Sequence, residues 1–144
     1  MSDWRILIVA GTFYRDIADP MIKDAQAALE AAGASHELAE VPGALEIPGA
    51  ITQAELTDAG FDGYVALGCV IRGETTHYDY VCGESARGLM DLSLEGVPVG
   101  NGVLTVENRD QAHARAVDKK KGRDAAEACL SILALRDRFL GEPA

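Results

Sequence analysis

The sequence predicts an α/β protein: a three-layer α/β/α sandwich around a central four-stranded parallel sheet. Short apolar runs that end at glycine or proline alternate along the whole chain with segments of helical periodicity. Strands that alternate with helices form parallel βαβ units with right-handed crossovers. The 144 residues, of which 48% are hydrophobic, are expected to form one domain over residues 1–144.

The first half of the chain is predicted to contain two strands and two helices. Residues 5–10 form an apolar run that ends at a glycine, which is typical of a strand buried on both faces. Residues 19–33 have helical periodicity, with Pro20 in the first turn and a glycine at the end. A second strand is expected over residues 36–41 and a second helix over residues 48–59.

The second half is predicted to contain two further strands, each followed by helix. The predicted elements are a strand at 63–70, a helix at 78–94, a strand at 97–105 and a last helix at 123–140. Thr76 and Asp79 are spaced as a capping box at the start of the first of these helices. The resulting architecture is flavodoxin-like, and in such folds ligands bind beyond the carboxyl ends of the strands. The loops expected there are 11–16, 42–48, 68–77 and 100–102.

Composition excludes several classes of partner. Thirteen basic and 23 acidic side chains give a net charge of -10, which argues against nucleic acid or an anionic membrane as a partner. No apolar run approaches the length needed to span a bilayer. The three cysteines lie far apart without a metal-type spacing, so no metal site is expected. Without an export signature, they indicate reduced thiols in a cytoplasmic protein.

Two of the loops carry side chains suited to binding a planar, hydroxylated ligand. Phe13 and Tyr14 form an aromatic pair that can stack on a heterocycle, although a lone loop aromatic also commonly covers the end of a core. Two prolines fix the path of the 42–48 loop, so its backbone groups can be presented rigidly. Glu46 in this loop can accept hydrogen bonds from hydroxyls, or can simply be a carboxylate favourable at a helix start.

The segment from 65 to 88 indicates an anion site with a proton carrier. A buried strand, a polar turn and a helix N-terminus follow one another, an order that favours phosphate binding. His77 lies at this turn and is a candidate acid or base, or alternatively a surface or capping residue. Arg115 and the lysines at 119–121 are either solvated or the source of phosphate-binding charge in this acidic protein.

Several long motifs together resemble the lumazine synthase family over nearly the whole chain. The most specific are VPGALEIP at 41–48, GCVIRGETTHYDYVCGE at 68–84 and GVLTVEN at 102–108. The resemblance implies condensation of 5-amino-6-(D-ribitylamino)uracil with 3,4-dihydroxy-2-butanone 4-phosphate in riboflavin biosynthesis. The products are 6,7-dimethyl-8-ribityllumazine, phosphate and water. It implies no metal and no organic cofactor.

The resemblance also implies a role for each site residue. His77 is the proton donor and acceptor, and Arg115 from a neighbouring subunit is the countercharge of the butanone phosphate, beside backbone donors of Glu74 and Thr75. Lys121 matches the family lysine that precedes a glycine, after a loop that is shortened here. The residues implied to hold the pyrimidine ring and ribityl chain are Phe13, Ala44, Leu45, Glu46, Cys69, Val70 and Ile71.

Two departures from the family pattern affect these expectations. Many members carry an aromatic residue in place of Asn101, so one stacking contact with the pyrimidine is lost here. Trp4 already borders the first strand, whereas capsid-forming members have a preceding extension. A free pentamer or two paired pentamers are therefore expected rather than a capsid, with riboflavin synthase as a partner in the pathway.

Three other classes of protein fit the sequence less well. A paralogue that binds riboflavin or its precursor without turnover is compatible with Asn101, but His77, Arg115 and the 73–77 turn argue for catalysis. A phosphoacceptor signalling domain needs acidic residues after the first strand and an aspartate at the end of the third, and neither is present. A flavodoxin-type electron carrier needs a hydroxyl-rich first loop rather than an aromatic pair.

Overall fold

The computed structural model describes residues 3–141 and contains the predicted alternation of strands and helices. The strands are β1 (Arg5–Gly11), β2 (Ser35–Val41), β3 (Gly63–Ile71) and β4 (Val99–Val106). The α-helices are α1 (Arg15–Ala31), α2 (Ile47–Leu56), α3 (His77–Leu94), α4 (Arg109–His113) and α5 (Lys121–Phe139). A 3₁₀ turn (Ala44–Glu46) precedes α2, and a π-helical turn (Ala114–Asp118) follows α4.

The four strands form one parallel sheet in the order β2-β1-β3-β4, which confirms the predicted flavodoxin-like architecture. Ile8 of β1 lies opposite Leu38 of β2 on one side and Val65 of β3 on the other. The chain moves outward from β1 to β2 and then returns past β1 to β3. The strand order therefore reverses between β1 and β3, where the carboxyl ends of parallel strands leave a crevice for a ligand.

Apolar layers cover both faces of the sheet, as the continuous hydrophobic runs of β1 and β3 require. Alternate residues of each strand point to opposite faces, so one strand supplies both cores. One core joins the sheet to α1 and α5 and includes Ile6, Ile8, Val65, Leu67, Met21 and Leu133. The other joins it to α2 and α3 and includes Leu7, Val9, Tyr64, Ala66, Ile51 and Leu89.

Two helix boundaries differ from the predicted ones. Helix α1 begins at Arg15, so Pro20 lies inside the helix rather than in its first turn, which corrects the prediction. Ile17 is fully packed in the core, and its burial stabilises the helical turn that precedes the proline. Helix α5 begins at Lys121 because Lys120 adopts a left-handed conformation, with φ of 51°, that ends the preceding turn.

Helices α1 and α5 approach each other closely at Gly122. A β-carbon on Gly122 would lie 2.2 Å from the carbonyl oxygen of Met21, so any side chain there would force the helices apart. This contact fixes the start of α5 and hence the position of Lys121 next to it. Within residues 3–141, no helix is both long and apolar enough to cross a membrane.

Candidate functional site

A pocket of about 440 Å³ lies at the carboxyl ends of β1 and β3, where the strand order reverses. We call it the His77 pocket. Its lining comes from four separate segments: the loop after β1, the turn before α2, the end of β3 and the start of α3. The lining residues are Phe13, Tyr14, Gly43, Ala44, Leu45, Glu46, Cys69, Val70, Ile71, His77 and Val81.

The loop after β1 presents an aromatic platform at the mouth of this pocket. The Phe13 side chain is 75% exposed, which is unusual for an aromatic residue that has only a structural role. Its ring meets that of Tyr14 edge to face, with centroids 4.9 Å apart and an interplanar angle of 85°. The exposed face of Phe13 is therefore free to stack on a planar ligand, and Phe13 does not cover the core.

The turn before α2 forms one wall of the pocket. Ala44 is buried and anchors the turn, whereas Leu45 and Glu46 are exposed on the pocket side. The backbone of Thr12 donates a hydrogen bond of 3.0 Å to the carbonyl oxygen of Val41, which ties the turn to the end of β1. Glu46 also precedes the first residue of α2, so its carboxylate lies near the positive end of that helix.

The end of β3 forms the floor, with Cys69, Val70 and Ile71. Burial raises the pKa of the Cys69 thiol to about 11; the charge of Arg109 lowers it and that of Asp16 raises it further. Cys69 is therefore a neutral, protonated group at physiological pH. The floor is apolar, which suits a flat heterocycle rather than an ion.

His77 is the first residue of α3, and its exposed side chain lines the pocket. Glu74 and Thr75 lie in the exposed turn just before it. The Thr75 hydroxyl oxygen accepts a hydrogen bond of 3.3 Å from the backbone N–H of His77. The turn thus places a histidine and a helix N-terminus side by side at the edge of one pocket, a combination suited to anion binding and proton transfer.

The predicted capping box between Thr76 and Asp79 is wrong. The Thr76 side chain makes no capping hydrogen bond. Its backbone is helical, with φ of -73° and ψ of -3°, whereas a capping side chain requires an extended backbone to fold back onto the helix. Thr75 takes over part of this role because it lies one residue earlier, where its hydroxyl reaches the N–H of His77.

Two of the predicted cations, Arg115 and Lys121, line a different pocket of the same chain. This second pocket, of about 320 Å³, lies at the β4 edge of the sheet and includes Asn101, Arg115 and Lys121; we call it the Arg115 pocket. Arg115 Nη1 donates to the carbonyl oxygen of Gln111 over 3.1 Å, and Lys121 Nζ lies 3.6 Å from Asp124 Oδ2. In the described chain, no lysine or arginine lines the His77 pocket.

Asn101 has a local structural contact that the sequence did not predict. Its side-chain oxygen accepts a hydrogen bond of 2.9 Å from the backbone N–H of Val103, two residues along the edge strand β4. This contact satisfies a backbone donor at the edge of the sheet. Asn101 also lines the Arg115 pocket, next to the two predicted cations.

Three residues of the His77 pocket were not predicted as ligand contacts: Tyr14, Gly43 and Val81. Two of them had a visible signal, because Tyr14 belongs to the aromatic pair and Val81 follows His77 by one helical turn. Within residues 3–141, no group of three or more histidine, cysteine, aspartate or glutamate side chains is placed to hold a metal ion.

Comparison with known proteins identifies relatives along almost the entire chain. The family model for 6,7-dimethyl-8-ribityllumazine synthase matches residues 3–137. A protein of that name from Methylorubrum extorquens (strain PA1) is 56% identical, over 100% of this chain and 87% of its own length. One from Novosphingobium aromaticivorans is 53% identical, over 94% of this chain and 98% of its own length. A third, from Agrobacterium fabrum (strain C58), is 50% identical, over 98% of this chain and 100% of its own length.

Proposed function

Because the chain belongs to the 6,7-dimethyl-8-ribityllumazine synthase family, we propose that it condenses 5-amino-6-(D-ribitylamino)uracil with 3,4-dihydroxy-2-butanone 4-phosphate in riboflavin biosynthesis. The products are 6,7-dimethyl-8-ribityllumazine, phosphate and water. One structural observation carries the proposal. A single pocket is lined both by the loops suited to binding a flat heterocycle and by His77, which lies at the turn suited to binding an anion. The chain acts as one domain of this family, in the cytoplasm.

The chemistry requires repeated proton transfer, which is the role of His77. The aryl amine adds to the ketone, loss of water gives a Schiff base, phosphate is eliminated, and a second carbonyl condensation closes the ring. Each step moves a proton to or from nitrogen, carbon or oxygen, and a histidine can act in both directions near neutral pH. His77 lines the pocket from the start of α3, within reach of a ligand held there.

The walls of the His77 pocket bind the pyrimidine substrate. Phe13 stacks on the ring, and the apolar floor of Cys69, Val70 and Ile71 accepts its other surface. The backbone of Ala44 and Leu45 and the carboxylate of Glu46 bind the polar edge of the ring and the ribityl hydroxyls. Holding both substrates in one pocket accelerates the reaction by proximity.

The butanone phosphate binds at the turn before α3, and its countercharge comes from another subunit. The backbone of Glu74 and Thr75 supplies donors at a helix N-terminus. The cation of the family pattern, Arg115, lines the separate pocket at the β4 edge, together with Lys121 and Asn101. The complete site therefore combines the His77 pocket of one subunit with the Arg115 pocket of its neighbour.

This division of the site requires a homo-oligomer, which we propose to be a pentamer or two paired pentamers rather than a capsid. In a cyclic assembly, each subunit gives one half-site to each neighbour, so every interface completes one site. Riboflavin synthase, which consumes the product, is the proposed partner in the pathway. Sedimentation of the purified protein gives its mass, and a particle near a megadalton would exclude the smaller assemblies.

A turnover assay tests the proposed activity directly. The purified protein is mixed with both substrates, and lumazine fluorescence and released phosphate are followed together. We expect equal amounts of the two products. A protein that binds riboflavin or the lumazine but forms neither product from the two substrates would be a binding paralogue, and the proposed activity would be wrong.

A further inference from the structure

We infer that Arg109 is a positioning residue for the aromatic platform, fixing Phe13 through its contact with Tyr14. The inference rests on the proposed function only in taking the stacked ligand to be a pyrimidine. Arg109 is the first residue of α4, after β4, whereas Tyr14 and Phe13 follow β1. The contact therefore joins two loops that are far apart in the sequence.

The position of Phe13 needs an external support. Its side chain is 75% exposed and has little core around it to select one rotamer. Its aromatic neighbour is Tyr14, at 4.9 Å between ring centroids, and Tyr14 is half-buried and packs against the core. The orientation of Phe13 therefore depends on how firmly the Tyr14 ring is held.

Arg109 holds the Tyr14 ring through a direct contact. The guanidinium carbon of Arg109 lies 5.2 Å from the centroid of the Tyr14 ring, within the range of a cation–π contact. Arg109 Nη1 also donates a hydrogen bond of 2.7 Å to Asp16 Oδ2, in the first turn of α1. Asp16 thus fixes the guanidinium over the ring, and the three side chains together connect the start of α1 to the start of α4.

The backbone of Arg109 is itself held in place. The Asn108 side chain accepts a hydrogen bond of 2.9 Å from the backbone N–H of Gln111, which caps α4. The Gln111 side chain in turn accepts one of 2.8 Å from the N–H of Glu107. These two bonds fix the turn from which Arg109 extends, so its side chain is a rigid support.

A role only in fold stability does not explain this arrangement. The side chains of Arg109 and Asp16 are 57% and 64% exposed, and ion pairs so exposed contribute little to the stability of a fold. Their charges also act on the pKa of the Cys69 thiol in the floor of the pocket. Removing Arg109 should therefore leave the fold intact and loosen the platform.

The test compares substrate affinity and turnover in matched variants. In Arg109→Ala, we expect the KM for the pyrimidine substrate to rise about 3- to 10-fold, as loss of one cation–π contact and one ion pair allows. The KM for the butanone phosphate and kcat at saturation should stay within about twofold, since only pyrimidine binding is affected. Arg109→Lys, which keeps the charge but not the planar group, should be intermediate.

Two further comparisons separate positioning from general damage. Arg87→Ala removes an equally exposed arginine, paired with Glu84 and Asp91 on α3, and should leave all three constants unchanged. Tyr14→Leu should raise the pyrimidine KM more than Tyr14→Phe, which retains the ring that contacts both Arg109 and Phe13. If Arg109→Ala does not fold, Arg109→Lys carries the test, and an unchanged pyrimidine KM in that variant would overturn the inference.

The inference is overturned if the pyrimidine KM of Arg109→Ala stays within twofold of the unmodified value, or if the KM for the butanone phosphate rises equally. It is also overturned if the two Tyr14 variants behave alike. If the unmodified protein forms no lumazine, the proposed function is wrong. Direct titration of the pyrimidine against the same variants then still shows whether Arg109 supports its binding.

Discussion

The close contact between the first strand and the turn before α2 predicts that Gly11→Ala damages both stability and the pocket. The backbone of Gly11 does not adopt a positive φ, so alanine is conformationally acceptable there. Its β-carbon, however, would lie 2.7 Å from the carbonyl carbon of Gly43 and 3.0 Å from the backbone nitrogen of Ala44. Ordinary contact begins near 3.4 Å, so the turn must move by about 0.7 Å.

The magnitude follows from this displacement. Forcing an extra methyl group into a packed site costs about 1–3 kcal/mol, and the three nearest atoms that it meets all belong to backbone that cannot rotate away. We therefore expect the free energy of unfolding of Gly11→Ala to fall by about this amount. Because the displaced turn carries Ala44, Leu45 and Glu46, the KM for the pyrimidine should rise as well.

Urea unfolding at a fixed protein concentration measures the stability, since an oligomer's apparent stability depends on concentration. The matched control is Gly49→Ala in α2, where an added β-carbon meets nothing within 4 Å. Its stability should rise by about 0.4–1 kcal/mol, because alanine restricts the unfolded chain. If the free energy of unfolding of Gly11→Ala stays within about 0.5 kcal/mol of the value for the unmodified protein, and the pyrimidine KM is unchanged, close packing of this strand against the turn does not shape the pocket.

Three further predictions follow from the site. His77→Ala should slow turnover about 10- to 100-fold. Refolding the His77→Ala and Arg115→Ala proteins together in equal amounts should restore about a quarter of the activity, because random mixing places an intact His77 beside a neighbour's intact Arg115 at that frequency. No recovery in mixed assemblies would contradict a site shared between subunits. The Cys69 thiol, with its pKa raised to about 11 by burial, should be alkylated at pH 8 about 100-fold more slowly than an unperturbed thiol, as peptide mapping by mass spectrometry would measure. The folded chain keeps this proton to a higher pH than the unfolded chain does. The free energy of unfolding that the neutral thiol contributes should therefore decline as the pH rises from 9 to about 11. Asn101→Phe should tighten pyrimidine binding about 2- to 10-fold by adding a stacking ring, although the hydrogen bond from the Val103 N–H is lost. An unchanged dissociation constant in direct titration would refute this expectation.

Much of the fold could be predicted because its signals are local and agree with one another. Apart from Arg5, the runs 5–10 and 63–70 contain no charged residue, and both proved to be central strands covered on two faces. Helix boundaries were less predictable. Pro20 indicated a helix start, but the burial of Ile17 extends α1 beyond it, which is a tertiary effect that no local pattern contains.

The candidate site was predictable where residues follow the strand ends directly. Phe13, Ala44 to Glu46, Cys69 to Ile71 and His77 belong to loops at one edge of the sheet, and parallel topology brings such loops together. The support of Phe13 by Arg109 was not predictable, because 95 residues lie between them in the sequence and only the fold connects them, through Tyr14. A single arginine in a sequence carries no sign of the ring that it will contact.

The sequence by itself determined the order of strands and helices, the parallel sheet, the family and the residue types of the site, since periodicity and motif spacing are properties of the chain. Only the tertiary structure decided that these residues divide into two pockets, with His77 at the β1–β3 crevice and Arg115 at the β4 edge. The reason is geometric: strand order sets the distance between the loop ends, and it depends on the packing of α1 and α5 on one face of the sheet and of α2 and α3 on the other.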